Sequence, residues 1–289
     1  MSGARRLIVN ADGFGFGQGA TRGIFEALDG EFVSSVSVNA NFPEAERVTD
    51  LVKSFPRVSV GVHLNPMVGR PCLPPERIPS LVGTDGLFHG PKFPGLLRRG
   101  KIVREELEAE LREQIRRVAE LAGSRLTHLD SQGNRHLSYL ALFLELARNS
   151  GVRRMRNNAS SICLESRRPR WSRLKVYLTR PHIWLAHRYR KYQMHKARLA
   201  GMRMADSLVT VGYAGRGNKA NPENWIRILR NLPAGTHEIY CHPAYPDETL
   251  RRWSDYQEDR ARELEILRSP RLRDEADRAG VKLVSFDVI

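Results

Sequence analysis

Acids and imidazoles cluster at four places in the 289-residue chain: Asn10-Ala11-Asp12, His63-Leu64-Asn65, the run from Thr127 to His136, and Cys241-His242-Pro243. The long run reads Thr127-His128-Leu129-Asp130-Ser131-Gln132-Gly133-Asn134-Arg135-His136. A single Asp of this sort is often a helix cap, and a lone His is more often a satisfied core residue than a ligand. Asp12, His63, His128, Asp130 and His242 together are harder to explain that way. Carboxylates and imidazoles are the groups that move protons, and their convergence predicts a polar active site.

These residues need elements that bring them together. Short apolar or β-branched runs bounded by turn residues predict eight strands, at 6–12, 34–40, 58–65, 127–131, 152–157, 208–213, 238–242 and 282–287. Helical patterns lie between them, at 19–29, 43–54, 104–122, 137–149, 221–229 and 260–268. In 104–122, Leu107, Leu111, Ile115, Val118 and Leu121 form one apolar stripe. Asn221 followed by Pro222 reads as a cap with proline first inside the helix. Alternating strands and helices predict a parallel α/β fold, a distorted (β/α) barrel of one domain spanning residues 1–289. In such folds the chemistry gathers at the C-terminal ends of the strands, where the acids and imidazoles fall.

Two segments break the alternation. Residues 71–100 hold six prolines and five glycines without periodicity, the composition of a lid or binding loop. Residues 13–20 are glycine-rich, and Gly15-x-Gly17-x-x-Ala20 formally fits a dinucleotide fingerprint. The acid expected after the second strand is missing there, since that stretch reads Val38-Asn39-Ala40-Asn41. A turn that brings backbone close to the site accounts for the glycines as well.

At these residues the chain resembles the YdjC-like family, the ChbG/HpnK-type carbohydrate deacetylases. Leu7-Ile8-Val9-Asn10-Ala11-Asp12-Gly13-Phe14-Gly15 resembles the family motif Asn-Ala-Asp-Asp-Phe-Gly. Val60-Gly61-Val62-His63-Leu64 resembles Gly-x-His-Leu, and Thr127-His128-Leu129-Asp130-Ser131 begins its His-x-Asp-Ser-His-Gln-His-x-His motif. Cys241-His242-Pro243-Ala244-Tyr245-Pro246-Asp247, then Arg260 and Glu263-Leu264, resembles the C-terminal region. The resemblance implies a barrel of the glycoside hydrolase/deacetylase type, a divalent metal (Mg or Zn), and removal of an N-acetyl group from an amino sugar or glycan. It implies Asp12 as base, His242 as acid and His63 as a metal ligand. Phe14, Phe16, Asn65, Gln132, Asn134, Tyr245 and Arg260 are the expected substrate contacts.

The chain departs from the motif at the implied ligands. The family's second Asp is Gly13 here, the His after Asp-Ser is Gln132, and the next His is Asn134, while His136 is kept. Catalytic metal sites generally use three protein ligands, so His63 alone is too few. Asp12, His128, Asp130 or His136 could supply substitutes. Three readings follow: a deacetylase with a remodelled metal site, a metal-free hydrolase using Asp12 and His242, and a non-catalytic sugar- or lipid-binding protein.

Charge adds a second theme. Lys and Arg number 47 against 32 Asp and Glu, a formal net charge of +15. Residues 167–203 hold twelve of the cations and no acid, with Trp171, Tyr177, Trp184, Tyr189 and Tyr192 interleaved. A solvated helical pair, an interfacial helix on an anionic membrane, and a nucleic-acid contact compete as readings. No nucleic-acid-binding motif supports the last. The apolar content excludes general disorder, and no apolar run approaches the ~18 residues of a spanning helix. Three dispersed cysteines, Cys72, Cys163 and Cys241, and no leader-like N-terminus predict a cytoplasmic protein, peripheral on the membrane at most.

Overall fold

A computed structural model describes residues 3–159, 161–163, 178–179, 181–210 and 220–289. Among the described residues nine strands form one parallel sheet: β1 (Arg5–Phe14), β2 (Ser35–Val38), β3 (Ser59–Leu64), β4 (Leu126–Ser131), β5 (Arg154–Met155), β6 (Ser161–Cys163), β7 (Ser207–Thr210), β8 (Gly235–Cys241) and β9 (Val281–Leu283). Their order is β5-β4-β3-β2-β1-β8-β7-β6, with β9 pairing the start of β1. The sheet curls until β5 meets the chain entering β7. Arg154 bridges Arg203, and Met155 N donates to Arg203 O at 3.0 Å. This is the expected distorted barrel. The three-residue β6 is an addition, too short to stand out as an apolar run.

Alternation along each strand sorts the side chains into two environments. On β1, Leu7, Val9 and Ala11 join the main hydrophobic core against the surrounding helices. Ile8 instead packs with Val284 and Phe286, while Asn10 meets Ser37 of the neighbouring β2 and Asp12 meets Arg156, just after β5. The last expected strand divides into β9 and a 3-10 turn, Phe286–Val288, which closes the N-terminal end of the barrel. There Phe286 stacks on His128 with ring centroids 3.8 Å apart. Gly61 makes that stacking feasible, because a Cβ at this position would overlap the His128 ring.

The helix Arg104–Ala122 follows its stripe, burying Leu107, Leu111, Ile115 and Val118. Pro222–Asn231 begins as its cap predicts, with the Asn221 side chain accepting from Glu223 N. The 71–100 insertion is more ordered than its composition suggests. Short 3-10 turns at Pro75–Arg77, Pro79–Leu81 and Gly90–Lys92 precede the helix Phe93–Arg98. Ile78, Leu81, Phe88 and Phe93 anchor it in the main core, at spacings that have neither a helical nor a strand period. Buried Glu110 also fixes it, accepting from Cys72 N and Leu73 N, both at 2.9 Å.

The basic segment lies partly outside the described residues. What is described includes the helix Pro181–Leu199, which touches the body through buried Met194 and Ala197. Trp184, Leu185, Tyr189 and Tyr192 are roughly half exposed on its other side. Among the described residues no helix is long and apolar enough to cross a membrane.

Candidate active site

Strands β1, β3, β4, β5 and β8 place five ionisable side chains in one buried cluster. Asp12 comes from β1, His63 from β3, Asp130 from β4, Arg156 from the residue after β5, and Glu238 from β8. The register sets this out: His63 lies opposite Asp130, and Asp12 opposite Ser37. Arg156 is fully buried and forms the hub. Its Nη2 lies 2.6 Å from Asp12 Oδ1 and 2.8 Å from Asp130 Oδ2. Its Nη1 donates to Asp12 Oδ2 at 2.8 Å and its Nε to Glu238 Oε1 at 2.6 Å. The guanidinium carbon also sits 4.9 Å over the Tyr240 ring. Planar, multiply donating and always charged, arginine is suited to such sharing.

The remaining lone pairs are largely taken. Asp12 Oδ1 accepts from Asn10 Nδ2 at 2.7 Å. Ser37 Oγ donates to Asp130 Oδ2 at 3.0 Å, and His63 Nδ1 pairs with Asp130 Oδ1 at 2.8 Å. That last bond fixes the His63 ring and leaves Nε2 for a further partner. Three carboxyls share one guanidinium, and their protonation reflects it. Burial works to raise Asp130, but Arg156 and His63 hold it well below the ordinary carboxylate range. Burial disfavours a charged His63, yet its contact with Asp130 moves it upward overall. Glu238 gives way: burial pushes it up to about 7, against the pull of Arg156. One cation cannot compensate three buried anions, so the most weakly held carboxyl keeps its proton near neutrality.

His242 follows β8 directly, one residue beyond the Cys241–Ala11 pairing. Its ring lies edge-on to Tyr240 at 5.5 Å and to Tyr256 at 5.9 Å. Its backbone N–H is held by Glu263 at 2.7 Å. Arg260 donates Nε to Tyr256 O at 2.8 Å and lies over the Tyr256 ring. Its Nη1 reaches to 3.9 Å from where a Cβ on Gly13 would stand, in a backbone conformation (φ +100°) that favours glycine. Asn134 accepts from Arg156 Nη1 at 3.3 Å, and Gln132 lies half-buried in the adjoining turn.

Other expected residues lie elsewhere. His128 is below the cluster, bonded to Thr127 and Ser37 and stacked on Phe286; burial pushes it down to about 3, which keeps it neutral. His136 is buried against Phe143 with Nδ1 on Ser131, and burial likewise moves it to about 3. Phe14 packs edge-on to Phe25 in the core, and Phe16 packs on Phe42. Asn65 pins the following loop, its Oδ1 accepting from Met67 N and Val68 N. Tyr245 bonds Glu26 beside the Gln18–Asp29 helix, with Arg22 over its ring. Sequence reasoning missed Arg156 and Glu238. Arg156 is the penultimate residue of the predicted 152–157 strand, where the strand-end rule applied elsewhere would have found it. Glu238, Tyr240 and His242 share an alternating face.

The resemblance implies a divalent ion here. Among the described residues, Asp12, His63 and Asp130 are the group whose ligand-type atoms all lie within 4.8 Å of one another. Their residue types can hold a metal, and His63 Nε2, Asp12 Oδ2 and Asp130 Oδ1 each keep room for one more partner. A cation shared by Asp12 Oδ1 and Asp130 Oδ2, at metal–oxygen distances of about 2.0–2.2 Å, would collide with Arg156 Nη2, which lies between those two oxygens. Gly13 brings no ligand, and a Gln132 carbonyl is a weak one. With two of the three implied ligands replaced, the donor set does not fit the three-ligand site that the resemblance implies.

The comparisons agree with the motif reading. The family described as YdjC-like protein matches residues 6–278. A carbohydrate deacetylase of Halalkalibacterium halodurans is 29% identical over 272 residues, covering 91% of this chain and 94% of that one. A Mus musculus carbohydrate deacetylase is 29% identical over 308 residues, with 98% and 94% covered. Among solved structures, an Enterococcus faecalis protein assigned to cellobiose-phosphate cleavage superposes with a TM-score of 0.77 at 27% identity, over 99% of this chain and 98% of that one.

Proposed function

The chain belongs to the YdjC-like protein family, and from that premise we propose that it is a deacetylase-like hydrolase removing the N-acetyl group of an amino sugar or glycan. One observation carries the reading. The Asp12 carboxylate, held on both oxygens by Arg156, stands at the C-terminal end of the barrel, and His242 directly follows the adjacent strand, one residue past the Ala11–Cys241 pair. Asp12 Oδ2 keeps a lone pair for a water molecule. In the reaction the water oxygen bonds to the acetyl carbon as Asp12 takes the water proton, and the carbonyl electron pair moves to oxygen. That oxyanion then reforms the carbonyl, the C–N bond breaks, and His242 gives the nitrogen a proton. Acetate and a free amine leave. His242 retains backbone support from Glu263 and ring contacts that orient it for this transfer.

A sugar needs partners for its hydroxyls. Asn39, at the C-terminal end of β2, is fully buried with neither Oδ1 nor Nδ2 hydrogen-bonded, and Asn158 Oδ1 after β5 is also without a bond. Buried polar groups ordinarily find partners, and an ordered water or a polar ligand would serve here. The test is acetate release from a panel of N-acetylated mono- and oligosaccharides. Release by the wild type, lost in Asp12→Asn, supports the reading. Release unaffected by Asp12→Asn contradicts it.

The finer reading is a lipid-linked or membrane-adjacent substrate, approached on an anionic surface. It rests on the Pro181–Leu199 helix, where Arg188, Arg190, Lys191, Lys196 and Arg198 accompany exposed Trp184, Tyr189 and Tyr192, without an acid. Such a face attracts anionic headgroups and seats aromatic rings at the boundary. The protein is expected to float with phosphatidylserine-containing vesicles at low salt and to be released as salt rises. Equal behaviour with purely zwitterionic vesicles would refute it.

A further inference from the structure

We infer that guanidinium groups hold the charge positions in this site that a divalent ion would otherwise fill: Arg156 as the resident cation between Asp12 and Asp130, and Arg260 as the group that polarises the acetyl carbonyl. The first half follows from occupancy. Between Asp12 Oδ1 and Asp130 Oδ2 the cation position is already taken. Here Arg156 Nη2 is within 2.8 Å of oxygens from both carboxylates, and Nη1 closes a second bond on Asp12. Asn10, Ser37 and His63 take three further positions on the same two carboxylates. Removing Arg156 to admit a metal would break four ion-pair contacts, including the one to Glu238.

The second half rests on the deacetylase reading. Amide hydrolysis needs a donor aimed at the developing oxyanion, whatever supplies it. Arg260 is the cation placed for this. It is partly buried, and Glu263 and Asp12 are the carboxylates whose charge acts on it. Its Nε is fixed by Tyr256 O, which leaves Nη1 directed toward Gly13 beside Asp12. Glycine at position 13 is central to this arrangement. An acid there would face Arg260 and pair with it, whereas glycine leaves the guanidinium donors for a ligand. Arg260 would then donate to the acetyl oxygen as the water bonds to the acetyl carbon. It stabilises the oxyanion without gaining or losing a proton.

The first measurements use the wild-type protein. The protein is purified without chelator or affinity tag, equilibrated in turn with zinc, manganese and magnesium salts, desalted, and assayed for metal by elemental analysis. Melting temperature and acetate release are then measured with and without EDTA. The inference predicts no retained ion, the same melting temperature, and acetate release insensitive to EDTA. A stoichiometric ion that is lost in His63→Ala, or acetate release that requires added metal, overturns it. A protein that binds no ion and releases no acetate contradicts the deacetylase reading while leaving the assignment of Arg156 standing. For Arg260, Arg260→Gln is expected to lower kcat by about 10²–10³-fold with little change in KM. An unchanged kcat overturns that half.

Discussion

Replacing Arg156 by methionine tests the charge balance of the barrel interior. Methionine keeps much of the side-chain length and removes the charge and the donors. Asp12, Asp130 and Glu238 would then lose their shared partner in a fully enclosed environment. Breaking one buried pair typically costs about 3–5 kcal/mol. With three acceptors dependent on one guanidinium, the upper end of that range, about 5 kcal/mol, is the reasonable figure. Domains of ordinary stability hold only about 5–15 kcal/mol in total, so Arg156→Met is expected to be marginally folded or unfolded at neutral pH. Urea unfolding followed by circular dichroism measures the loss. The double variant Arg156→Met/Asp130→Asn removes one stranded carboxylate and should recover part of it, giving a coupling energy larger than independent sites show. An Arg156→Met protein within about 1 kcal/mol of wild type would refute the reasoning, since that is the cost of an exposed pair.

Further expectations follow from other parts of the fold. Glu238 has a raised pKa when folded, so the folded protein binds the extra proton, and stability should fall as pH rises from 4.5 through about 7. The drop is on the order of 3 kcal/mol, and Glu238→Gln should flatten it in urea titrations; an equally steep pH dependence in the variant would contradict the assignment. Gly61→Ala forces a methyl group into the His128 ring and should cost about 1–3 kcal/mol, seen as a lower melting temperature; an unchanged melt would show that the ring moves freely. Glu110→Ala strands the Cys72 and Leu73 amides, at about 1–3 kcal/mol each if they stay buried. Limited proteolysis should then cut within 71–100 first, and an intact insertion would count against Glu110 as its anchor.

How much of this was legible in sequence depended on whether the signal was periodic. The Arg104–Ala122 helix follows from a three- and four-residue stripe, and its bounds are those expected. The parallel barrel follows from eight apolar runs separated by helical patterns. The 71–100 insertion was not legible as an ordered unit, because Ile78, Leu81, Phe88 and Phe93 reach the core from short turns with no common period. In the site, Asp12, His63 and Asp130 were found because they end strands. Arg156 lies at the end of the predicted 152–157 strand as well, but an arginine there does not stand out until the barrel folds around it and brings three carboxyls to it. Phe14 and Phe16 looked available beside the glycine-rich turn. The β1 bulge after Asp12 and the packing of Phe25 and Phe42 decide otherwise, and neither is written in the local sequence.

The most direct test of the account is acetate release from N-acetylated amino sugars by EDTA-treated protein, with Asp12→Asn assayed in parallel. The account predicts that the treated wild type releases acetate at the untreated rate and that Asp12→Asn loses on the order of 10²–10⁴-fold. Activity that disappears with EDTA and returns with a divalent ion would contradict the assignment of the site's charge to Arg156 and Arg260. Equal release by Asp12→Asn and wild type would contradict the site itself.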